Sequence, residues 1–375
     1  MTTPFPPEIP LLRVRGTHRE VGRQVGEACS AMVAAATDLS SAGVPRGGRT
    51  LDELLAEAAR CRAITAEALP WLIDELDGVA EGAGVDPEAL FAASMEELWD
   101  SRPSQPGDAA AATPSPGGAG GGRTVGRCTD VLVSPAGTAS GHLLVGHNND
   151  LSPDSEGDLL AIEWSVDGEP VVFSIGIGPW LSVGWNDAGL SLTGNEVSPN
   201  DDRSGIPRLL LVRAQLCARD IDEAVGLAVH PRRASAYNTV FADSAGRAVN
   251  VEASATDCEC SGPDERGAIV HTNHYVSARM AAYEDDPEYA VRSARRRDRV
   301  LELLDRPGAL PVDERGLRAI LSDHGSEPDA ICRHPAPGTE VKTVFWCVAD
   351  VTEGRIGYGR GNPCQSLEQR YAFAG

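Results

Sequence analysis

The sequence predicts an α+β protein, and three observations carry that reading. Residues 1–101 show mostly helical spacing of apolar side chains. Residues 102–127 are rich in glycine, alanine and proline, with a Gly-Gly-Ala-Gly-Gly-Gly run near their end. After Cys128 the hydrophobic period changes from 3.6 to 2, and strands then alternate with paired helices. Strands followed by helices and strands again, with hairpins between neighbours, describe antiparallel sheets packed by segregated helices.

Residues 11–16 read as a short strand. Thr17 with Glu20 three positions later is a capping box opening a helix with Val21, Val25, Cys29 and Met32 on one face. Residues 51–69 form a second helix, and Asp86-Pro87-Glu88 starts a third, with an N-cap aspartate and proline at the first helical position. Residues 102–127 read as a flexible linker or a processing segment. Beyond it, strands are expected at 130–134, 142–147, 161–166, 171–175, 182–185 and 191–193. Asp167-Gly168 supplies a tight hairpin. A helix at 208–219 continuing into 221–229 follows, then strands at 239–243, 248–253 and 268–272. Helices at 289–304 and 314–321 precede final strands at 343–350 and 355–359.

Composition narrows the function. The chain has 375 residues, 42% of them hydrophobic, and a formal charge of −22. That charge disfavours nucleic acid and anionic membrane surfaces as partners, since both are polyanionic. No apolar run reaches the length of a membrane span, and the first residues lack the basic and apolar regions of a secretory signal. The expected location is the cytosol, where the nine cysteines are reduced thiols. Cys29, Cys61, Cys217 and Cys347 sit in apolar patterns and read as core. Cys258-Glu259-Cys260 has the wrong spacing for a zinc knuckle, and His271 with His274 lie at a strand end. No metal and no cofactor are expected.

Four polar clusters fall where strands begin or end: Cys128-Thr129, Gly146-His147-Asn148-Asn149-Asp150, Thr193-Gly194-Asn195-Glu196 and His271-Thr272-Asn273-His274. Strand ends are where a rigid scaffold presents chemistry. A cysteine at the seam between a flexible segment and a first strand is the pattern of a self-cleaving precursor. The bland alternative is an ordinary half-buried cysteine. Ser293, Arg296 and Arg297 read as a solvated basic face or a structural ion pair, and Trp180 and Trp185 as core or pocket wall.

With these motifs in this order, and with Arg15-Gly16, Gly22 and Gly26 at the start, the chain resembles the acyl-coenzyme A:6-aminopenicillanic acid acyltransferase family of N-terminal-nucleophile hydrolases. The resemblance implies an αββα four-layer sandwich with a helical N-terminal segment, and self-cleavage before the cysteine. Residues 1–127 would then be an α-subunit and 128–375 a catalytic β-subunit. It implies Cys128 as nucleophile, Asp150 as the carboxylate orienting its α-amine, Asn273 as an oxyanion-hole side chain and Asn195 as a second polarising asparagine. Two positions depart from the family: Arg127 precedes the cysteine in place of the usual glycine, and Glu340-Val341-Lys342 stands in place of a Ser-Arg pair.

Physical chemistry agrees with such a site. Amide cleavage needs a nucleophile, a base near neutral pKa and donors for the developing oxyanion. A free α-amine titrates near ~8 and can serve its own residue as base without a histidine. The expected substrate is a small-molecule amide or acyl thioester, processed through an acyl-Cys128 intermediate. Two rivals stand: an unprocessed Cys-His hydrolase using His271 or His147, and a non-enzymatic relative that binds a peptide or metabolite.

Overall fold

The computed structural model describes residues 5–39, 44–100, 127–335 and 341–373. Of the expected linker, only Arg127 falls within the described residues. In chain order the elements begin with β1 (Leu11–Gly16), α1 (His18–Ala28), α2 (Ser30–Thr37), β2 (Val44–Pro45), α3 (Leu51–Ala68), α4 (Pro70–Ala83), α5 (Pro87–Ala93) and β3 (Trp99–Asp100). Then come β4 (Arg127–Val133), β5 (Leu144–Leu151), β6 (Leu159–Val166), β7 (Val172–Ile177), β8 (Trp180–Asn186) and β9 (Leu190–Asn195). After α6 (Arg208–Leu216) and α7 (Ile221–Ala228) follow β10 (Asn238–Asp243), β11 (Ala248–Ala253), β12 (Cys258–Ser261) and β13 (Ala268–His271). The chain closes with α8 (Pro287–Leu304), α9 (Glu314–Leu321), β14 (Lys342–Asp350), β15 (Arg355–Arg360) and β16 (Gln369–Ala372).

Two large sheets form the centre. One has eight strands in the order β1-β6-β7-β8-β9-β10-β11-β12, the other six in the order β13-β4-β5-β14-β15-β16. Between them lies an apolar layer built from Leu132, Val145, Phe345 and Cys347 on one side and Ala161, Phe173, Val183 and Val240 on the other. Helices α1, α6 and α7 cover the outer face of the eight-stranded sheet through Val21, Val25, Leu216 and Ile221 against Ile162, Trp164 and Leu192. Helices α8 and α9 cover the six-stranded sheet through Val300, Leu303, Leu317 and Leu321 against Val131, Val133, Trp346 and Val348. This is the expected αββα sandwich. Strands buried on both faces read as continuous apolar runs rather than alternations, and Lys342–Asp350 is buried at every position.

The N-terminal segment belongs to this body. Strand β1 pairs in parallel with β6 along its whole length. The expected capping box is present, with Thr17 and Glu20 satisfying each other's backbone N–H groups. The early glycines have a packing reason. A Cβ on Gly22 would stand 2.0 Å from the Glu75 carbonyl oxygen, and one on Gly26 2.1 Å from that of Val79. Gly78 and Gly82 of α4 meet the Arg19 and Arg23 carbonyls of α1 in the same way. Helices α1 and α4 therefore cross backbone to backbone, which only glycine allows. Gly22→Ala is expected to destabilise the fold by about 1–3 kcal/mol, because the clash is with backbone that cannot rotate aside. Denaturant midpoints of the two proteins check this, and equal midpoints would refute the close crossing.

The remaining differences from expectation are local. Residues 208–229 form two helices, because the Asp220 side chain caps a fresh start at Ile221. Strands β12 and β16 are too short to show a period, whereas α4 carries Leu72, Ile73, Leu76, Val79 and Ala80 at helical spacing and is a further helix of the N-terminal segment. The Gly146–Asp150 segment lies within β5, not beyond its end. Among the described residues no helix is long and apolar enough to cross a membrane.

Candidate active site

Cys128 is the second residue of β4 and lies opposite Asn149 of β5, while Arg127 lies opposite Asp150. It is buried, 6% exposed, in register with Leu132 of the inter-sheet layer. Its backbone N–H donates to Asn273 Oδ1 at 2.8 Å. The amide nitrogen of the Arg127–Cys128 bond is thus held by a side chain from the end of β13.

Asn273 is itself fixed on three sides. Its backbone N–H donates to Ser293 Oγ at 2.7 Å, and its Nδ2 donates to the Glu196 carbonyl at 3.0 Å. Arg296 Nη2 donates to Asn273 Oδ1 at 2.5 Å and to the Cys128 carbonyl at 3.3 Å. Asn273 therefore presents its acceptor to the Cys128 backbone N–H.

The reading of Arg296 as part of a solvated face is corrected here. Arg296 is fully buried, as is Ser293. The buried residues of α8 are Tyr289, Ser293, Arg296, Val300, Leu303 and Leu304. Their spacing of three and four is the inward stripe of a helix, and Arg296 falls on it. That phase was the available signal; the neighbouring arginines in Arg295-Arg296-Arg297 obscured it. The Arg127 guanidinium lies 4.9 Å over the Tyr289 ring, so α8 also seats the residue before the cysteine.

Asp150 is fully buried, and its Oδ1 accepts from Thr343 Oγ1 at 2.7 Å. Its other oxygen has no hydrogen-bond partner among the described residues. Burial pushes the carboxyl above its ordinary range, against the opposing pull of Arg333, Arg296 and the Thr343 hydroxyl. Burial likewise pushes the Cys128 thiol well up, and the carboxylates of Asp150, Asp130 and Glu196 add to it while Arg296 opposes. Both effects favour the thiol form of Cys128 over the thiolate.

Asn195 ends β9, in the other sheet. Its Oδ1 lies 3.0 Å from His271 Nδ1, and its Nδ2 is buried without a partner among the described residues. His271 Nε2 lies 2.7 Å from Glu252 Oε1. Glu252 also accepts the backbone N–H groups of Val276 and Ser277. Burial works against the Glu252 charge, yet these bonds and His271 hold its carboxyl down to about 2. His271 thus bridges the Asn195 amide and the Glu252 carboxylate, and the Asn195 NH2 group stays unspent among the described residues. The two sheets thus meet at the site, β13 reaching β9 through His271.

The histidines differ in what remains to them. Both ring nitrogens of His271 are engaged. His147 Nδ1 lies 2.8 Å from Asp130 Oδ1, and its Nε2 has no partner among the described residues. His274 sits beside Ser293 Oγ at 2.9 Å; burial first, then His271 and Arg297, lower its pKa to about 4. Arg208, also buried, links the site to a cleft. Its Nη2 donates to Glu196 Oε1 at 2.8 Å and its backbone N–H to Glu97 Oε1 at 2.7 Å. Glu97 lines a cavity of about 530 Å³ with Arg46, Met95, Leu98 and Asp202. Trp185 packs into the inter-sheet core and Trp180 is half-buried against the outer one.

Solved structures similar to this chain include the Caenorhabditis elegans ortholog of N-acylethanolamine-hydrolyzing acid amidase. It is 14% identical over 60% of this chain and 93% of that one, with a TM-score of 0.41. A mutant of conjugated bile acid hydrolase from Clostridium perfringens is 12% identical over 66% and 97%, with a TM-score of 0.43. Penicillin V acylase from Agrobacterium tumefaciens is 13% identical over 62% and 82%, with a TM-score of 0.40. No curated protein matches the chain. The family model of acyl-coenzyme A:6-aminopenicillanic acid acyl-transferase matches residues 137–365. That is more than half of the chain; it spans Asp150, Asn195, Asn273 and Arg296 and begins after Cys128. The chain belongs to the acyl-coenzyme A:6-aminopenicillanic acid acyltransferase family.

Proposed function

We propose that this protein is a self-cleaving cysteine N-terminal-nucleophile hydrolase or acyltransferase acting on a linear amide or a thioester. One observation carries the reading: both ends of the Cys128 backbone are gripped by buried polar side chains, its N–H by Asn273 and its carbonyl by Arg296. An ordinary core cysteine needs neither.

Self-cleavage begins when the Cys128 thiol gives up its proton and its sulfur attacks the Arg127 carbonyl carbon. Asp150 has a buried oxygen without a hydrogen-bond partner among the described residues and a raised pKa, the properties of a base for that step. The C–N bond breaks as the thioester forms, and the proton passes to the departing nitrogen. Water then hydrolyses the thioester, leaving a carboxylate on Arg127 and a free amine on Cys128. That amine becomes the base of the mature enzyme, in hydrogen-bond reach of Asn273 Oδ1. In turnover the thiolate attacks the substrate carbonyl. Asn195 Nδ2, oriented by His271, is suited to receive the oxyanion. The acyl-Cys128 intermediate passes to water or to an amine.

Residues 1–127 are expected to remain bound as an α-subunit in the cytosolic enzyme. Strand β1 is an integral strand, and Arg213 of α6 grips Glu75 of α4 at 2.7 and 2.8 Å. The N-terminal His18 bridges Glu75 and Glu169 at 2.9 Å each.

Intact mass of the purified protein is the test. Two fragments dividing between Arg127 and Cys128, co-eluting without denaturant, are expected. One full-length chain that still hydrolyses amides would reject self-cleavage and move the role of base to His147.

A further inference from the structure

We infer that this chain carries a zinc site outside the active site, formed by His324, Cys332, His334 and Cys364. The four ligand atoms lie within 4.8 Å of one another. They come from two loops. His324, Cys332 and His334 lie between α9 and β14, and Cys364 lies between β15 and β16.

Four of the six ligand-to-ligand distances approach the edges of a tetrahedron around one ion, and the two from His324 to the sulfurs lie within 4.8 Å. The two sulfurs are 3.7 Å apart. His334 Nε2 is 3.7 Å from the Cys332 sulfur and 3.3 Å from that of Cys364. The two histidine Nε2 atoms are 3.0 Å apart. Zinc bonds of about 2.3 Å to sulfur and about 2.0–2.1 Å to nitrogen, at tetrahedral angles, give edges of about 3.8, 3.6 and 3.3 Å for S–S, S–N and N–N. These four edges fall within a few tenths of an ångström of those values, and closing on an ion would draw His324 toward the two sulfurs.

The chemistry of the set selects the ion. Two thiolates and two imidazoles are the donors of a closed structural zinc site, and two thiolate charges neutralise Zn²⁺. Binding releases the two thiol protons. The surroundings are built for a thiolate: Asn362 Nδ2 donates toward the Cys332 sulfur at 3.4 Å and to the Arg333 carbonyl at 2.6 Å. His324 and Cys364 are exposed, so an ion here would cross-link two loops at the surface. The clip sits one residue from the catalytic support. Arg333 donates its backbone N–H to Thr343 Oγ1 at 3.0 Å, and that hydroxyl donates to Asp150.

The test uses the full-length protein, purified with reductant from zinc-supplemented medium. Elemental analysis should find about one zinc per chain. Replacing it with Co²⁺ should produce thiolate-to-cobalt charge transfer and the visible bands of tetrahedral cobalt. Cys332→Ser with Cys364→Ser should lower the zinc content at least tenfold, whereas Cys258→Ser with Cys260→Ser should leave it unchanged. If the first pair fails to fold, the exposed His324→Ala should weaken Co²⁺ affinity by about 10–100-fold. Wild-type protein with reduced thiols that binds neither Zn²⁺ nor Co²⁺ would overturn the site. So would zinc retained by the double variant, or a metal-free protein in which Cys332 and Cys364 are found as a disulfide.

Discussion

Cys128→Ala is expected to yield one uncleaved chain with no measurable turnover. In the proposed reaction the same sulfur serves twice, first against the Arg127 carbonyl and then against substrate, so its loss removes both steps rather than slowing them. Removing the nucleophile from a cooperative catalytic unit costs on the order of 10⁴-fold or more in rate. The fold should survive, because the substitution deletes one buried sulfur and leaves the backbone grip of Asn273 and Arg296 in place. Intact mass and an amidase assay read the two losses separately. Fragments that still divide at Arg127–Cys128 in the alanine protein would point to an outside protease and remove Cys128 from the cleavage. Cys128→Ser gives a graded control: a hydroxyl can attack but is a poorer nucleophile at neutral pH, so slow cleavage is expected.

Asp150→Asn is expected to lower both cleavage and turnover by about 10²–10⁴-fold, the range for loss of a positioned acid or base. Asparagine is nearly isosteric, and its oxygen can still accept from Thr343, so the change removes charge more than shape. The pH profile separates a chemical role from a structural one. Burial raises the Asp150 pKa, so the carboxylate forms only above the ordinary carboxylate range. The wild-type rate of self-cleavage should fall as pH drops through that raised value, and the asparagine protein should lack this acid limb. Stability moves the opposite way. The folded chain holds the Asp150 proton more tightly than the unfolded chain, so between the two pKa values this group favours the fold at the lower pH. An acid loss of self-cleavage without loss of fold is therefore expected. An asparagine protein that cleaves itself and turns over at the wild-type rate would end the assignment.

Much of the architecture was legible because local signals agreed with the global fold. The Thr17–Glu20 and Asp86-Pro87 starts are chemical and appear as expected. The Asp167-Gly168 turn lies between two paired strands, with Gly168 at φ 82° where a side chain would be strained. Strand and helix boundaries moved by a few residues, as they do when ladder pairing rather than propensity ends an element.

By itself the sequence determined the alternation of strands and helices, the sandwich that the family resemblance implies, and the order of the polar motifs. Those are properties of neighbours along the chain. Tertiary structure decided what depends on distant residues. It turned Arg296, 168 positions from Cys128, from an apparent surface charge into a buried donor to its carbonyl. It joined Asn195 to His271 across two sheets and left the Asn195 amide nitrogen without a partner among the described residues. It gathered His324, Cys332, His334 and Cys364 from spacings that match no linear metal motif. The physical reason is common to all three. A hydrogen bond or a coordination sphere is specified by directions and distances of about 3 Å, and only the packed sheets bring such groups from separate strands and loops to that range.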